Sequence, residues 1–282
     1  MRLVRFGPRG QERPGLMRDG RIVDLTRHFP RIPDIGRRFF EEGWLQKAAG
    51  VKDPGEARRE RIGAPVPRPG KIICLGKNYA EHAREGGFDR PARPLLFCKT
   101  VNTVNGPYDP IVLPLGSGQV DWEVELAVVI GRPGKRIGAA DARDFIAGYT
   151  VMNDVSGREA QFADSQWFRG KSFDGFAPMG PCIVTGDEIG NVADLRLTTT
   201  VDGVIMQDGN TGDMLFDIPA IIADVSRDMT LEPGDIISTG TPAGVGIFRD
   251  PPVVLRAGNV VECAIERIGA LVNPVAAGED AA

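Results

Sequence analysis

The chain has 282 residues, 42% hydrophobic and 26% charged, with a formal net charge of −4. These proportions suit a soluble globular protein with a large core, and the scattered basic residues argue against a nucleic-acid or anionic-membrane partner. Residues 1–7 hold no apolar signal core, and no apolar run is long enough to span a bilayer, so a cytoplasmic protein is expected.

Thirty-six glycines and 22 prolines predict many short strands and loops rather than long helices. Residues 1–69 read as a small N-terminal unit plus linker, and 70–282 as the catalytic domain. In the first unit Arg2–Phe6 and Arg21–Leu25 have strand patterns, and Ile35–Ala49 has amphipathic helical spacing. A charged stretch at 56–62 leads into the proline-rich Gly63–Gly70. Lys71–Gly76 is a short apolar strand, followed by a polar helical stretch over 78–87 that ends in two glycines. Pro94–Lys99 and Pro110–Pro114 are strand candidates, then comes an acidic strand at Val120–Ile130. Ala139–Ala147 reads as a short helix feeding a strand at Tyr149–Asp154, and 158–172 as helix then loop. Leu195–Val201 and Val204–Gln207 flank Asp202-Gly203, a dipeptide suited to a type I′ hairpin turn. Phe216–Val225 has helical spacing, Asp235–Ser238 is a strand, and a last hairpin is expected to turn near Ala257–Asn259. The total is α+β, a β-roll or sandwich, without the regular strand–helix alternation of a doubly wound fold. Cys74, Cys98, Cys182 and Cys263 form no Cys-x-x-Cys pair and read as reduced core residues.

The acidic strand organises the rest. Leu126–Ile130 is a continuous apolar run of the kind buried on both faces of a sheet. Glu123 and Glu125 enter it two residues apart, so both carboxylates point to one face, which continues as Ala127 and Val129. A Glu-x-Glu taken alone is more often a solvated strand end. Here a second acidic strand end, Asn153-Asp154, follows another apolar run, and three carboxylates from two strand ends would make a hard-cation site.

His82 and Glu85 share a face if 78–87 is helical. Spacing alone favours an exposed pair on a polar helix; the functional reading is a general base charged by its carboxylate, on a segment able to move as a lid between Gly76 and Gly86-Gly87. His28, beside Phe29, reads as a surface residue. The Gly240–Gly246 loop lacks Gly-x-Gly-x-x-Gly order and is not followed by a helical pattern, which disfavours a dinucleotide site. Its N–H groups and the Thr241 hydroxyl could instead hold a carboxylate, with Lys171 adding positive charge; a solvated lysine is the default for Lys171 alone.

Together five motifs resemble the fumarylacetoacetate hydrolase family: Leu75-Gly-Lys-Asn-Tyr-Ala-Glu-His, Asp121-Trp-Glu-Val-Glu-Leu, Gly148-Tyr-Thr-Val-Met-Asn-Asp, Phe168-Arg-Gly-Lys-Ser, and Gly234-Asp-Ile-Ile-Ser-Thr-Gly-Thr-Pro. They stand in the family's order over roughly residues 70 to 275, and residues 1–69 resemble the looser N-terminal domain of bacterial members. The resemblance implies a mixed β-sandwich roll with a small N-terminal α/β domain, in a homodimer. It implies Mg²⁺ or Mn²⁺ on Glu123, Glu125 and Asp154, a water-activating pair at His82 and Glu85, and oxyanion stabilisers at Gln161 and Lys171. It also implies a substrate-carboxylate loop at Gly240 and Thr241.

From this resemblance the expected enzyme is a metal-dependent hydrolase that cuts a C–C bond of a 2,4-dioxo acid, releasing pyruvate and a carboxylic acid. Acylpyruvates are the expected substrates, with 2,4-diketo-3-deoxy sugar acids such as the L-rhamnonate or fuconate compounds nearest in motif wording. The same residues also fit lyases, hydroxymuconate isomerases and oxaloacetate decarboxylases of this fold. A non-catalytic 2-oxo-acid or metal-binding protein is the alternative from another class.

Overall fold

The computed structural model describes residues 1–278 except 58, 59, 88, 117 and 164, so two residues of the charged 56–62 stretch lie outside it. The main sheet runs in the order Arg21–Asp24, Arg13–Arg18, Arg2–Phe6, Ala177–Val184, Ile146–Asn153, Val124–Ile130, Ile236–Ser238, Ile72–Gly76, Leu95–Lys99. Neighbours on this path are antiparallel except Ile236–Ser238 with Ile72–Gly76. A second sheet orders Val204–Asn210, Arg196–Val201, Val260–Ile265 and Gly269–Ala276, with Ile111–Val112 parallel at its edge. The architecture is mixed α+β, as expected. Among the described residues no helix is long and apolar enough to cross a membrane.

Val124–Ile130 sits mid-sheet with all seven residues buried. Val124, Leu126, Val128 and Ile130 face the core shared with Leu197, Val261 and Leu271 of the second sheet. Ala127 and Val129 face the opposite core, packed with Leu3, Phe39 and Ile72. Each such aliphatic side chain contributes about 1.5–3 kcal/mol on burial, which fixes the register and with it the face on which Glu125 lies. The N-terminal segment, expected as a small unit, is joined to this sheet by strand pairing: Arg2 lies opposite Val184 and Leu3 opposite Ile183.

Several local expectations are revised. The acidic strand is two pieces, Val120–Asp121 pairing with Ser156–Gly157, then Val124–Ile130, with Glu123 at the break. The helix expected over Ile35–Ala49 is split into Arg37–Glu41 and Trp44–Ala49 by Gly43, whose φ of +72° lies in the left-handed region. The last hairpin reverses between Ile265 and Gly269; the turn at Ala257–Asn259 only leads into its first strand. Asp202 and Gly203 adopt φ of +51° and +79°, the two positive values a type I′ turn requires. Ala177–Val184 escaped sequence reading because Pro178 and Pro181 argue against a central strand, yet its eight residues are buried with strands on both sides. The sheet absorbs the missing donors through a register shift opposite Tyr149–Val151, where the Thr150 hydroxyl donates to Gly180 O.

Candidate metal centre and its cleft

Two strand ends deliver the carboxylates. Opposite the Val124–Asn153 pair, the Asp154 N–H donates to Glu123 O at 2.9 Å and the Glu123 N–H donates to Asn153 Oδ1 at 3.0 Å. The backbones of Glu123 and Asp154 are thereby locked together, and Glu125 follows two residues along. One carboxylate oxygen from each of Glu123, Glu125 and Asp154 lies within 4.8 Å of the others, and all three residues are buried.

Three buried cations surround them. Lys171 Nζ bridges Glu123 Oε2 at 2.7 Å and Asp154 Oδ2 at 2.8 Å. Lys99 Nζ donates to Asp154 Oδ1 at 2.6 Å and to Val155 O at 3.0 Å. Arg158 spans Asp121 Oδ1 and Glu123 Oε1, each at 2.7 Å, and donates to Gln161 Oε1 at 2.9 Å. Among the described residues Glu125 has no ion-pair partner; its Oε2 accepts from the Ser238 hydroxyl and from Gly240 N at 3.0 Å.

Four acids (Asp121, Glu123, Glu125, Asp154) thus face three cations (Lys99, Arg158, Lys171), and the imbalance falls on Glu125. Burial, then the charges of Asp154 and Glu123, push the Glu125 carboxyl up to about 8. Burial acts the same way on Glu123, but the charges of Lys171 and Arg158 chiefly outweigh it and hold that carboxyl well below the usual range. Burial pulls the Lys99 ammonium below its ordinary value against Asp154, whereas on Lys171 burial is outweighed by Asp154 and Glu123 together. An all-oxygen donor set with one uncompensated negative charge suits a hard divalent cation.

The exposed pair that spacing alone favours at 78–87 is not what forms: His82 is buried and meets Glu85. In the helix Ala80–Glu85, His82 Nδ1 lies 2.8 Å from Glu85 Oε1, and Glu85 Oε2 accepts from Gly244 N at 2.9 Å. The carboxylate only accepts, so the proton sits on Nδ1 and Nε2 is the basic nitrogen. His82, Glu123, Glu125, Gln161 and Lys171 line one narrow cleft with Leu75, Phe97, Phe162, Trp167 and Phe248. Phe97 and Trp167 meet edge to face at 5.4 Å, and Lys171 Nζ lies 5.1 Å from the Phe97 ring centre. Aromatic walls beside buried charge keep the local dielectric low.

Lys171, a surface residue by default, is 1% exposed and within the cluster. Gln161 Oε1 is taken by Arg158, which leaves its amide N–H₂ as a donor. In the Gly240–Gly246 loop, Gly240 N serves Glu125 and the Thr241 hydroxyl donates to Val124 O at 2.9 Å while accepting from Gln207 Nε2 at 2.8 Å. The loop therefore holds the protein's own carboxylates, Glu125 and Glu85. His28 is partly exposed, 2.9 Å from Asp53, and lies in the N-terminal segment. All four cysteines are free thiols; Cys74, Cys182 and Cys263 are in the core as expected, but Cys98, near the end of the edge strand Leu95–Lys99, is exposed instead. Sequence reading missed Lys99, Arg158 and Asp121. Only Asp121 carried a signal, its period-2 position before Glu123.

A family model described as "Fumarylacetoacetate (FAA) hydrolase C-terminal" matches residues 71–276. The chain is 44% identical to the Bos taurus protein named "Oxaloacetate tautomerase FAHD2A, mitochondrial", over 98% of this chain and 91% of that one. Among solved structures, the fumarylacetoacetate hydrolase of psychrophilic Exiguobacterium antarcticum superposes with TM-score 0.87 at 39% identity, covering 99% of this chain and 100% of that one. Maleylpyruvate hydrolase from Sphingobium sp. SYK-6, solved with manganese(II) ion and pyruvate, superposes with TM-score 0.79 at 34% identity and the same coverage.

Proposed function

This chain belongs to the fumarylacetoacetate (FAA) hydrolase family, and within it we propose a divalent-metal-dependent enzyme that moves a proton at the carbon beside the keto group of a 2-oxo acid. Its substrate is oxaloacetate or a close 2-oxo dicarboxylate, whose keto and enol forms it interconverts. The carrying observation is the His82–Glu85 dyad in the same cleft as Glu123 and Glu125. The relative named for oxaloacetate tautomerisation, aligned over 98% of this chain, supports the choice of substrate.

Glu123, Glu125 and Asp154 would hold Mg²⁺ or Mn²⁺. Such an ion, when bound, acts as a Lewis acid for negative charge developing on the 2-oxo oxygen. His82 Nε2 takes the C3 proton and returns it to oxygen, or the reverse, while Glu85 holds the imidazole tautomer and stabilises the imidazolium. Gly244 N fixes Glu85, and the Gln161 amide and Lys171 ammonium supply donors toward the developing charge. The aromatic wall limits water at the reacting carbon. No water is consumed and no group leaves, so the dyad suffices for the proton balance.

A second reading keeps the expectation from sequence: hydrolysis of a 2,4-dioxo acid to pyruvate and a carboxylic acid, with His82 taking its proton from water instead of C3. It is favoured by the likeness to maleylpyruvate hydrolase. One experiment separates them. Enol absorbance of oxaloacetate and pyruvate release from acylpyruvates are followed with and without chelator, in the wild type and in His82→Ala. Chelator-sensitive tautomerisation lost in His82→Ala supports the first reading; pyruvate release without tautomerisation sinks it in favour of the second.

A further inference from the structure

Among the described residues, three cations line the cleft: Arg158, Lys171 and Lys77. Arg158 is shared between Asp121 and Glu123, and Lys171 between Glu123 and Asp154. Both therefore lie at the carboxylate cluster itself. Lys77 differs in position. It is half-buried, and it also lines the adjoining shallow cleft bounded by Asp89–Leu96, so it stands where the two meet.

Its backbone is unusual as well. Lys77 adopts φ +58°, a left-handed conformation that lysine disfavours and glycine would take without strain. The flanks of Lys77 are held closely. A Cβ on Gly76 would come within 2.5 Å of the Trp167 ring, so that residue cannot carry a side chain. The Asn78 side chain is held by Phe216 N, Phe216 O and Thr239 O at 2.8–3.1 Å. A long cation is thus kept in a strained position between two anchored residues, on the wall of the cleft. Strain of this kind persists where the surroundings over-determine it, typically at ligand clamps.

We propose that Lys77 is a specificity-determining residue that binds the distal carboxylate of a 2-oxo dicarboxylic acid. The inference rests on the proposed function and deepens it: the keto-acid head sits toward Glu123 and Glu125, and the far carboxylate reaches Lys77. Oxaloacetate and pyruvate make the probe pair, since they differ only in that carboxylate.

Binding of each to the Mg²⁺-loaded protein is measured by calorimetry for the wild type, Lys77→Gln, Lys77→Arg and Lys77→Gly. The wild type should prefer oxaloacetate, and Lys77→Gln and Lys77→Gly should cut the oxaloacetate-to-pyruvate affinity ratio by about tenfold or more, the worth of one charge-assisted hydrogen bond. Lys77→Arg should restore most of the ratio. Lys77→Gly relieves the backbone, so a melting temperature held or raised together with a lost ratio excludes misfolding as the cause. An unchanged ratio in Lys77→Gln, or equal losses for both probes, overturns the proposal. Binding of neither probe to the wild type defeats the underlying 2-oxo-acid reading instead, and the proposal with it.

Discussion

Gly244 donates its backbone N–H to Glu85 Oε2 at 2.9 Å. Four residues earlier in the same loop Gly240 does the same for Glu125, so one loop sets the dyad and the carboxylate cluster in a common frame. Gln207 fastens that loop to the second sheet and to the acidic strand, donating to Thr241 Oγ1 and Pro242 O and accepting from Val124 N.

Gly244→Ala should therefore disturb the dyad without touching it. Gly244 has φ +104°, and a Cβ there would run into the carbonyl oxygen of Met206. The loop must shift, at about 1–3 kcal/mol, and Glu85 loses its anchor. Both the melting temperature and kcat should fall, while metal binding, measured by calorimetry, falls less. A fully active Gly244→Ala protein would mean that the Glu85 anchor does not matter to the chemistry.

His82→Ala should lower kcat about 100-fold or more, the usual worth of a general base, with metal and oxalate binding retained. Glu85→Gln should show a smaller loss, since it keeps the shape but not the charge that favours the imidazolium. Wild-type turnover in His82→Ala would make the pair purely structural.

The parts of this site legible in the sequence were those whose signal is local. Leu126–Ile130 announces a buried strand, so two glutamates at its entrance stand out, and His82-x-x-Glu85 lies within one helical turn. The compensating cations are invisible in sequence because Lys99 meets Asp154 across 55 residues and Arg158 meets Glu123 across 35. Each reads locally as a strand-end lysine or a helix-start arginine. The proline-bearing Ala177–Val184 strand was hidden for the opposite reason: its local signal is strong and wrong, overridden by pairing on both sides. The loop after Ser238 was legible as a donor-rich turn, but only its tertiary position reveals that its donors face Glu125 and Glu85.

Lys99→Met isolates the role of the hidden cation. Lys99 and Asp154 are wholly buried partners, and removing one member of such a pair costs about 3–5 kcal/mol. Urea denaturation of the chelated protein should show that loss. Saturating Mg²⁺ should recover part of it, because the ion supplies charge to the same carboxylate. A loss below about 1 kcal/mol, as for an exposed pair, would show that the Lys99 charge is not needed to hold Asp154.

The excess negative charge on the cluster makes the stability of the metal-free protein depend on pH. The Glu125 carboxyl lies near 8 in the folded chain against an ordinary 4.5. Between those values the folded chain keeps a proton that the unfolded chain has released, so stability falls with rising pH. The contribution is fully present below the ordinary value and is lost as pH rises through about 8. Glu125→Gln mimics the protonated acid permanently and keeps an oxygen to accept from Ser238 and Gly240. Under chelation, the melting temperature of the wild type should decline relative to Glu125→Gln from about pH 5 to about pH 8, since groups shared by both proteins cancel in the difference. Adding Mg²⁺ should remove the decline in the wild type, where it favours ionised Glu125, and have little effect on the variant. Parallel curves for the two chelated proteins would place the missing charge compensation somewhere other than Glu125.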